Sequence, residues 1–341
     1  MHNKSLWGWP AVAMSSSGFS RKVMLAILAL LMCLAASAGN AQTLRLAVSR
    51  TALALPLYVA QEKGYFAQEG LDLQIADCAT GSQCLKQVLD RHADIATSAD
   101  LPIVLNAFER TDYAVIATFA NTADDEKLVV RVGDGTNQPS QLAGKRIGVV
   151  IGTAAQYFLE LYLLTIGVDP NTVTMVGLAP NEMGEALNKG QVDAIAIWEP
   201  YAQLAAKALG ARARVLPRSG AYTKTFNLIV HRTLVGTRDA SMVQLLRALA
   251  RAERFIHEQP DEAKGILRRR LQLDQQLIDS VWPGLNFRLG LDQSLIATLE
   301  SQARWAMRER HVKSKSMPNF PSLLHTAPLK SVNPGAVGVA R

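Results

Sequence analysis

The chain has 341 residues, 49% of them apolar and only 6% aromatic, with a formal net charge of +7. That length holds one large domain or two of ordinary size, and the apolar share is enough for a full core of α/β type. The charge does not form the stripe that nucleic acid requires. Lys4, Arg21 and Lys22 lie in a leader expected to be removed, which leaves 33 basic against 29 acidic residues, or +4. The densest basic run, Arg268-Arg269-Arg270, falls in a polar helical stretch and reads as a solvated face.

The leader is residues 1–41. Arg21-Lys22 precede an apolar run over 23–36, and Ala36-Ser37-Ala38 and Gly39-Asn40-Ala41 follow it. A basic start, a short apolar middle and a small-x-small site make a secretory signal peptide, cleaved after Ala38 or Ala41, and predict a periplasmic protein. The run is shorter than the ~20 apolar residues of a bilayer span. Cys33 follows Met32 rather than a small residue, so a lipid-anchored start does not fit. Removal of the leader leaves Cys78 and Cys84, six positions apart. In an oxidising compartment they could close a small disulfide loop, with two reduced thiols as the alternative.

From Thr43 onward, short apolar runs alternate with helical patterns, which is the mark of βα units and a largely parallel sheet. The pattern predicts strands over 44–48, 71–76, 94–97 and 113–119. Between them fall a helix with Pro56 in its first turn, ending near Glu62-Lys63-Gly64, and helices over 82–89 and 101–109. A second series starts near 128–130, with strands over 146–150, 173–176 and 193–197 and helices over 153–166, 181–188 and 200–208. A strand over 226–230 follows, then helices over 242–258, 261–270, 274–281 and 293–309. Two βα series and a helical return predict two lobes: 42–127 opens lobe 1, 128–226 forms lobe 2, and 227–316 returns to lobe 1. A Pro-rich tail occupies 317–341. The hinge is expected near 126–130 and 225–228, with a ligand cleft between the lobes at the strands' carboxyl ends.

Specific motifs carry a family resemblance. Leu57-Tyr58-Val59-Ala60, Lys63-Gly64-Tyr65-Phe66 and Glu69-Gly70-Leu71-Asp72-Leu73 come first. Gly81-Ser82, Ala93-Asp94-Ile95-Ala96 and Leu142-Ala143-Gly144-Lys145-Arg146-Ile147-Gly148-Val149 follow in order. Gly152-Thr153-Ala154, Leu187-Asn188-Lys189-Gly190-Gln191-Val192-Asp193-Ala194 and Trp198-Glu199-Pro200-Tyr201 complete the set. The set resembles the nitrate/sulfonate/taurine and thiamine-pyrimidine solute-binding proteins over nearly all of 43–335. The resemblance implies a type II periplasmic-binding-protein fold, α/β with mixed sheets in two lobes joined by a two-strand hinge. It further implies capture of a small solute for the permease subunits of an ABC importer, as a monomer, without cofactor or catalysis. A sensor docking on a membrane receptor would need the same cleft.

Site candidates follow from position. Gly152-Thr153-Ala154 lies between a predicted strand and helix, where free backbone N–H groups and the positive helix end can hold an anion and the Thr153 hydroxyl adds a donor. Thr80-Gly81-Ser82 offers the same geometry in lobe 1, flanked by Cys78 and Cys84. One turn from each lobe would clamp a ligand. Ser49, Ser98 and Asp100 end strands facing the expected cleft, and Asn121 lies near the hinge. Trp198 could stack on a flat or cationic ligand. Asp100 and Glu199 would favour an amine or aminopyrimidine if they faced the site, whereas a role in helix capping would remove them from it. Enzyme motifs are missing: there is no Gly-x-Ser-x-Gly elbow, no phosphate-binding loop and no His-Glu-x-x-His. Pyrimidine synthases, the enzyme rival by resemblance, carry a cysteine cluster that this chain does not have. No metal site is expected either.

Overall fold

The structure, a computed structural model, describes residues 43–133, 138–217 and 222–339. The proposed leader lies outside the described residues. Lobe 1 opens with β1 (Leu44–Ser49), α1 (Leu55–Glu62), α2 (Tyr65–Gln68), β2 (Leu73–Cys78), α3 (Gly81–Leu89), β3 (Ile95–Ala99), α4 (Asp100–Ala107) and β4 (Tyr113–Thr122). Lobe 2 holds β5 (Glu126–Arg131), β6 (Arg146–Val149), α5 (Ala154–Thr165), β7 (Thr174–Gly177), α6 (Met183–Asn188), β8 (Ala194–Trp198), α7 (Tyr201–Leu209) and β9 (Ala213–Val215). The chain re-enters lobe 1 with β10 (Lys224–His231), α8 (Asp239–Glu258), α9 (Pro260–Leu271) and α10 (Gln275–Val281). It ends with β11 (Asn286–Asp292), α11 (Gln293–Arg308), α12 (Ala327–Val332) and β12 (Val337–Gly338).

Seven strands form the lobe 1 sheet in the order β12-β11-β4-β10-β3-β1-β2, and five form the lobe 2 sheet in the order β7-β6-β8-β5-β9. β1 runs parallel to β2 and β3, while β10 inserts antiparallel between β3 and β4. In lobe 2, β6 runs parallel to β7 and β8, and β5 antiparallel to β8 and β9. Both sheets are therefore mixed, as a chain that leaves a sheet and returns to it requires. β3 and β8 are buried on both faces: β8 reads as the continuous apolar run Ala-Ile-Ala-Ile-Trp, while β3, Ile-Ala-Thr-Ser-Ala, also buries the hydroxyls of Thr97 and Ser98. Each lobe has its own hydrophobic core.

One part of the return differs from the sequence expectation, and the tail, whose packing the sequence leaves open, joins lobe 1. β11 interrupts the helices: Phe287, Leu289 and Leu291 point inward and Asn286, Arg288 and Asp292 outward, an alternation of period two. The segment after Met317 is an integral part of lobe 1, with Phe320, Leu323 and Leu329 buried in its core.

Candidate ligand-binding site

The parallel strands of both sheets aim their carboxyl ends at one inter-lobe cavity. Register fixes the lobe 1 side: Ser49, the last residue of β1, pairs with Cys78, the last of β2. The turn into α3 therefore starts beside Ser49. Lobe 1 contributes Ser49, Thr80, Gly81 and Ser82 to the wall, and lobe 2 contributes Thr153, Ala154 and Trp198. The space they enclose is about 40 Å³.

The lobe 1 turn is built locally. Cys78 and Cys84 form a disulfide across it. Thr80 is the N-cap of α3, its Oγ1 accepting from the Gln83 N–H at 3.1 Å. The N–H groups of Gly81 and Ser82, in the first turn, have no intrahelical acceptor and remain available. Gly81 lets the turn approach β3 closely: a Cβ there would lie 3.0 Å from the Ser98 Cα and 3.1 Å from the Ala99 nitrogen. Ser98 therefore sits behind the turn, fully buried, and does not line the cavity.

The lobe 2 turn is held differently. Gly152 adopts a left-handed φ of 73° at the rim, outside the cavity wall, and its N–H donates to Gln156 Oε1 at 2.9 Å. The Thr153 hydroxyl donates to the Val150 carbonyl at 2.7 Å and gives α5 no side-chain cap. That hydroxyl hydrogen is thus already used by the backbone. The donors this turn presents are the first N–H groups of α5, at the positive end of a 12-residue helix.

Several wall residues were not foreseen: Thr51, Glu126, Lys224 and Phe226. Lys224 is buried, paired with Asp125 and, at 2.9 Å, with Glu126, and its ammonium lies 5.9 Å from the Trp198 ring centre. Burial alone would lower the Lys224 pKa, but the two carboxylates outweigh it, so the group stays cationic. Burial pushes the Glu126 carboxyl up, with Lys224 opposing. The Asp-Glu-Lys run at 125–127 and the lysine opening β10 were the available signals, but the predicted strand started two residues too late to include Lys224.

β10 divides the region. Lys224 and Phe226 face the cavity, while Thr223 and Thr225 face a separate groove of about 610 Å³. Asn121 lines that groove, not the cavity, and its side-chain oxygen accepts from Asn286 at 3.1 Å. Asp100 is fully buried and turned to the groove side of β10. It accepts from the Leu101 and Thr225 N–H groups, both at 2.9 Å, from Gln302 at 3.0 Å and from the Tyr222 hydroxyl. It pins β10 and α11 to the start of α4 and is not in the cavity wall. Glu199 is likewise outside the wall: its Oε2 accepts from the Gln203 N–H at 3.1 Å in the first turn of α7. Burial pushes its carboxyl up to about 7.

Against known proteins, the family model described as NMT1/THI5 like matches residues 53–263. The chain belongs to that family. A Bacillus subtilis (strain 168) protein named for aliphatic-sulfonate binding is 25% identical over 66% of this chain and 69% of its own length. The taurine-binding periplasmic protein of Escherichia coli (strain K12) is 27% identical over 53% of this chain, a match spanning about half of that relative, 54%. The alkanesulfonate-binding protein SsuA from Xanthomonas axonopodis pv. citri, solved bound to MOPS, superposes with a TM-score of 0.72 at 18% identity. That superposition covers 83% of this chain and 98% of SsuA. The fold is that of the two-lobed periplasmic binding proteins, as the motif set implied.

Proposed function

We propose that the chain is the periplasmic solute-binding component of an ABC importer and that it captures a compact oxyanion, a sulfonate foremost, in the inter-lobe cavity. The observation that carries this reading is the pairing of two helix N-termini, one from each lobe, across the cavity, with the Lys224 ammonium of its wall already matched by Asp125 and Glu126. Unspent N–H groups at two helix starts suit an oxyanion that would otherwise lose its hydration. The relatives are named for sulfonate or taurine binding, in agreement with this chemistry. The protein acts as a monomer delivered by its leader, releases the solute to membrane permease subunits, and performs no catalysis.

A thermal-shift panel of taurine, alkyl and aryl sulfonates, nitrate, bicarbonate and aminopyrimidines tests the reading. A ligand confined to the native state adds about 2.7 kcal/mol at a hundredfold excess over Kd. Stabilisation by at least one sulfonate is expected. Stabilisation by aminopyrimidines alone would overturn the oxyanion assignment.

A further inference from the structure

Helix α5 carries the lobe 2 turn at its start, yet it belongs to both lobes. Leu159 and Leu163 enter the lobe 2 core, whereas Tyr157 enters the core of lobe 1. Tyr157 packs edge-on against Trp305 of α11, with ring centres 5.2 Å apart, and against Tyr222 at 5.1 Å.

One turn further along, Glu160 is only 3% exposed. Its Oε2 accepts from the Trp305 indole N–H at 2.9 Å, and its Oε1 accepts from His311 Nε2 at 3.0 Å. Trp305 and His311 both belong to the lobe 1 return, and their rings lie 4.5 Å apart. On its other side Glu160 Oε1 receives the Gln156 side-chain N–H at 3.4 Å, and Gln156 Oε1 in turn accepts the Gly152 N–H. A connected chain of hydrogen bonds thus runs from α11 of lobe 1 to the ligand-facing turn of lobe 2. None of its members lines the cavity.

We propose that Glu160 is a positioning residue for ligand binding: it latches α5 to α11 and, through Gln156, sets the Gly152-Thr153-Ala154 turn. A buried carboxylate is tolerated only with donors on its oxygens. Two of its three donors come from the other lobe, so separation of α5 from α11 strips the carboxylate and loosens Gln156. Lobe docking and turn geometry are therefore one equilibrium. The lobe 1 turn, closed by its disulfide and by Thr80, has no such dependence. The inference rests on the oxyanion reading only where affinity is concerned.

Two variants test it: Trp305→Phe, which removes one N–H and keeps an aromatic ring, and His311→Ala, a change at a partly exposed position. Backbone hydrogen exchange is followed at the Gly152 amide and, as reference, at the Gln83 amide of the lobe 1 turn. Exchange at Gly152 is expected to rise about tenfold in each variant, with Gln83 unchanged. Unchanged exchange at Gly152, or equal acceleration at both amides from general loosening, would overturn the latch. With the best sulfonate of the panel, both variants should bind about tenfold more weakly through faster dissociation. Unaltered affinity would overturn the link to binding. If the unaltered protein binds no oxyanion, the cavity reading fails while the exchange measurement still decides the latch.

Discussion

The two turns facing each other across the cavity use the same secondary-structure device with opposite kinds of support. The lobe 1 turn is secured within seven residues by a disulfide, a threonine cap and a glycine pressed on the backbone of β3. The lobe 2 turn has no side-chain cap; beyond its local Thr153–Val150 bond it takes its order from Gln156, Glu160 and residues of the opposite lobe. Equivalent donor geometry therefore carries different dependence on closure. One turn waits preformed, and the other is completed when the lobes meet. In a hinged binder this places the conformational response in lobe 2.

The largest test of the contrast removes the charge between the turns. Lys224→Met leaves Asp125 and Glu126 buried without their cation, and denaturant unfolding should show a loss of about 3–5 kcal/mol. A loss below about 1 kcal/mol would remove Lys224 as a support of the inter-lobe wall. The next test is confined to lobe 2. The Glu199 carboxyl is raised by burial from 4.5 to about 7 in the folded protein. Its contribution to stability is complete below pH 4.5, the unfolded value, and is lost as pH rises through about 7. Unfolding free energy should fall by up to about 3 kcal/mol across that window and flatten in Glu199→Gln, which keeps an acceptor for the Gln203 N–H. An unchanged pH slope in the variant would contradict this.

Smaller effects separate the turns themselves. Thr153→Trp fills the cavity from the lobe 2 side and should weaken sulfonate binding at least ~100-fold, about 2.7 kcal/mol, in a protein that still folds. Undiminished affinity in calorimetry would remove this turn from the site. Replacing both Cys78 and Cys84 by serine opens a short loop and should cost roughly 2 kcal/mol of stability. Exchange should then quicken at the lobe 1 turn and stay unchanged at Gly152.

Much of this arrangement is legible in the sequence. Glycine-hydroxyl pairs between an apolar strand and a helix mark both turns, and the alternation of strands and helices marks both lobes. The cysteine spacing allows the disulfide without requiring it. What escaped is side-chain direction. Asp100 ends the expected strand, but its carboxylate turns behind β10 to meet Thr225, Tyr222 and Gln302, partners more than a hundred residues away. Lys224 is a surface residue by composition and becomes a wall residue only because Glu126, at the start of β5, and Asp125 just before it come to it. β11 alternates correctly, yet it is a single short strand in a stretch whose other elements are helical. Glu160 reads as one more polar position on a helix until α11 is seen against it.

The central claim is tested most directly by backbone amide chemical shifts during titration with the best sulfonate. The account predicts that the largest changes fall on Gly81, Ser82, Thr153 and Ala154, one cluster in each lobe. Changes centred instead on Asn121, Asn286 and Arg288 would move the ligand to the groove behind β10 and contradict the two-turn site.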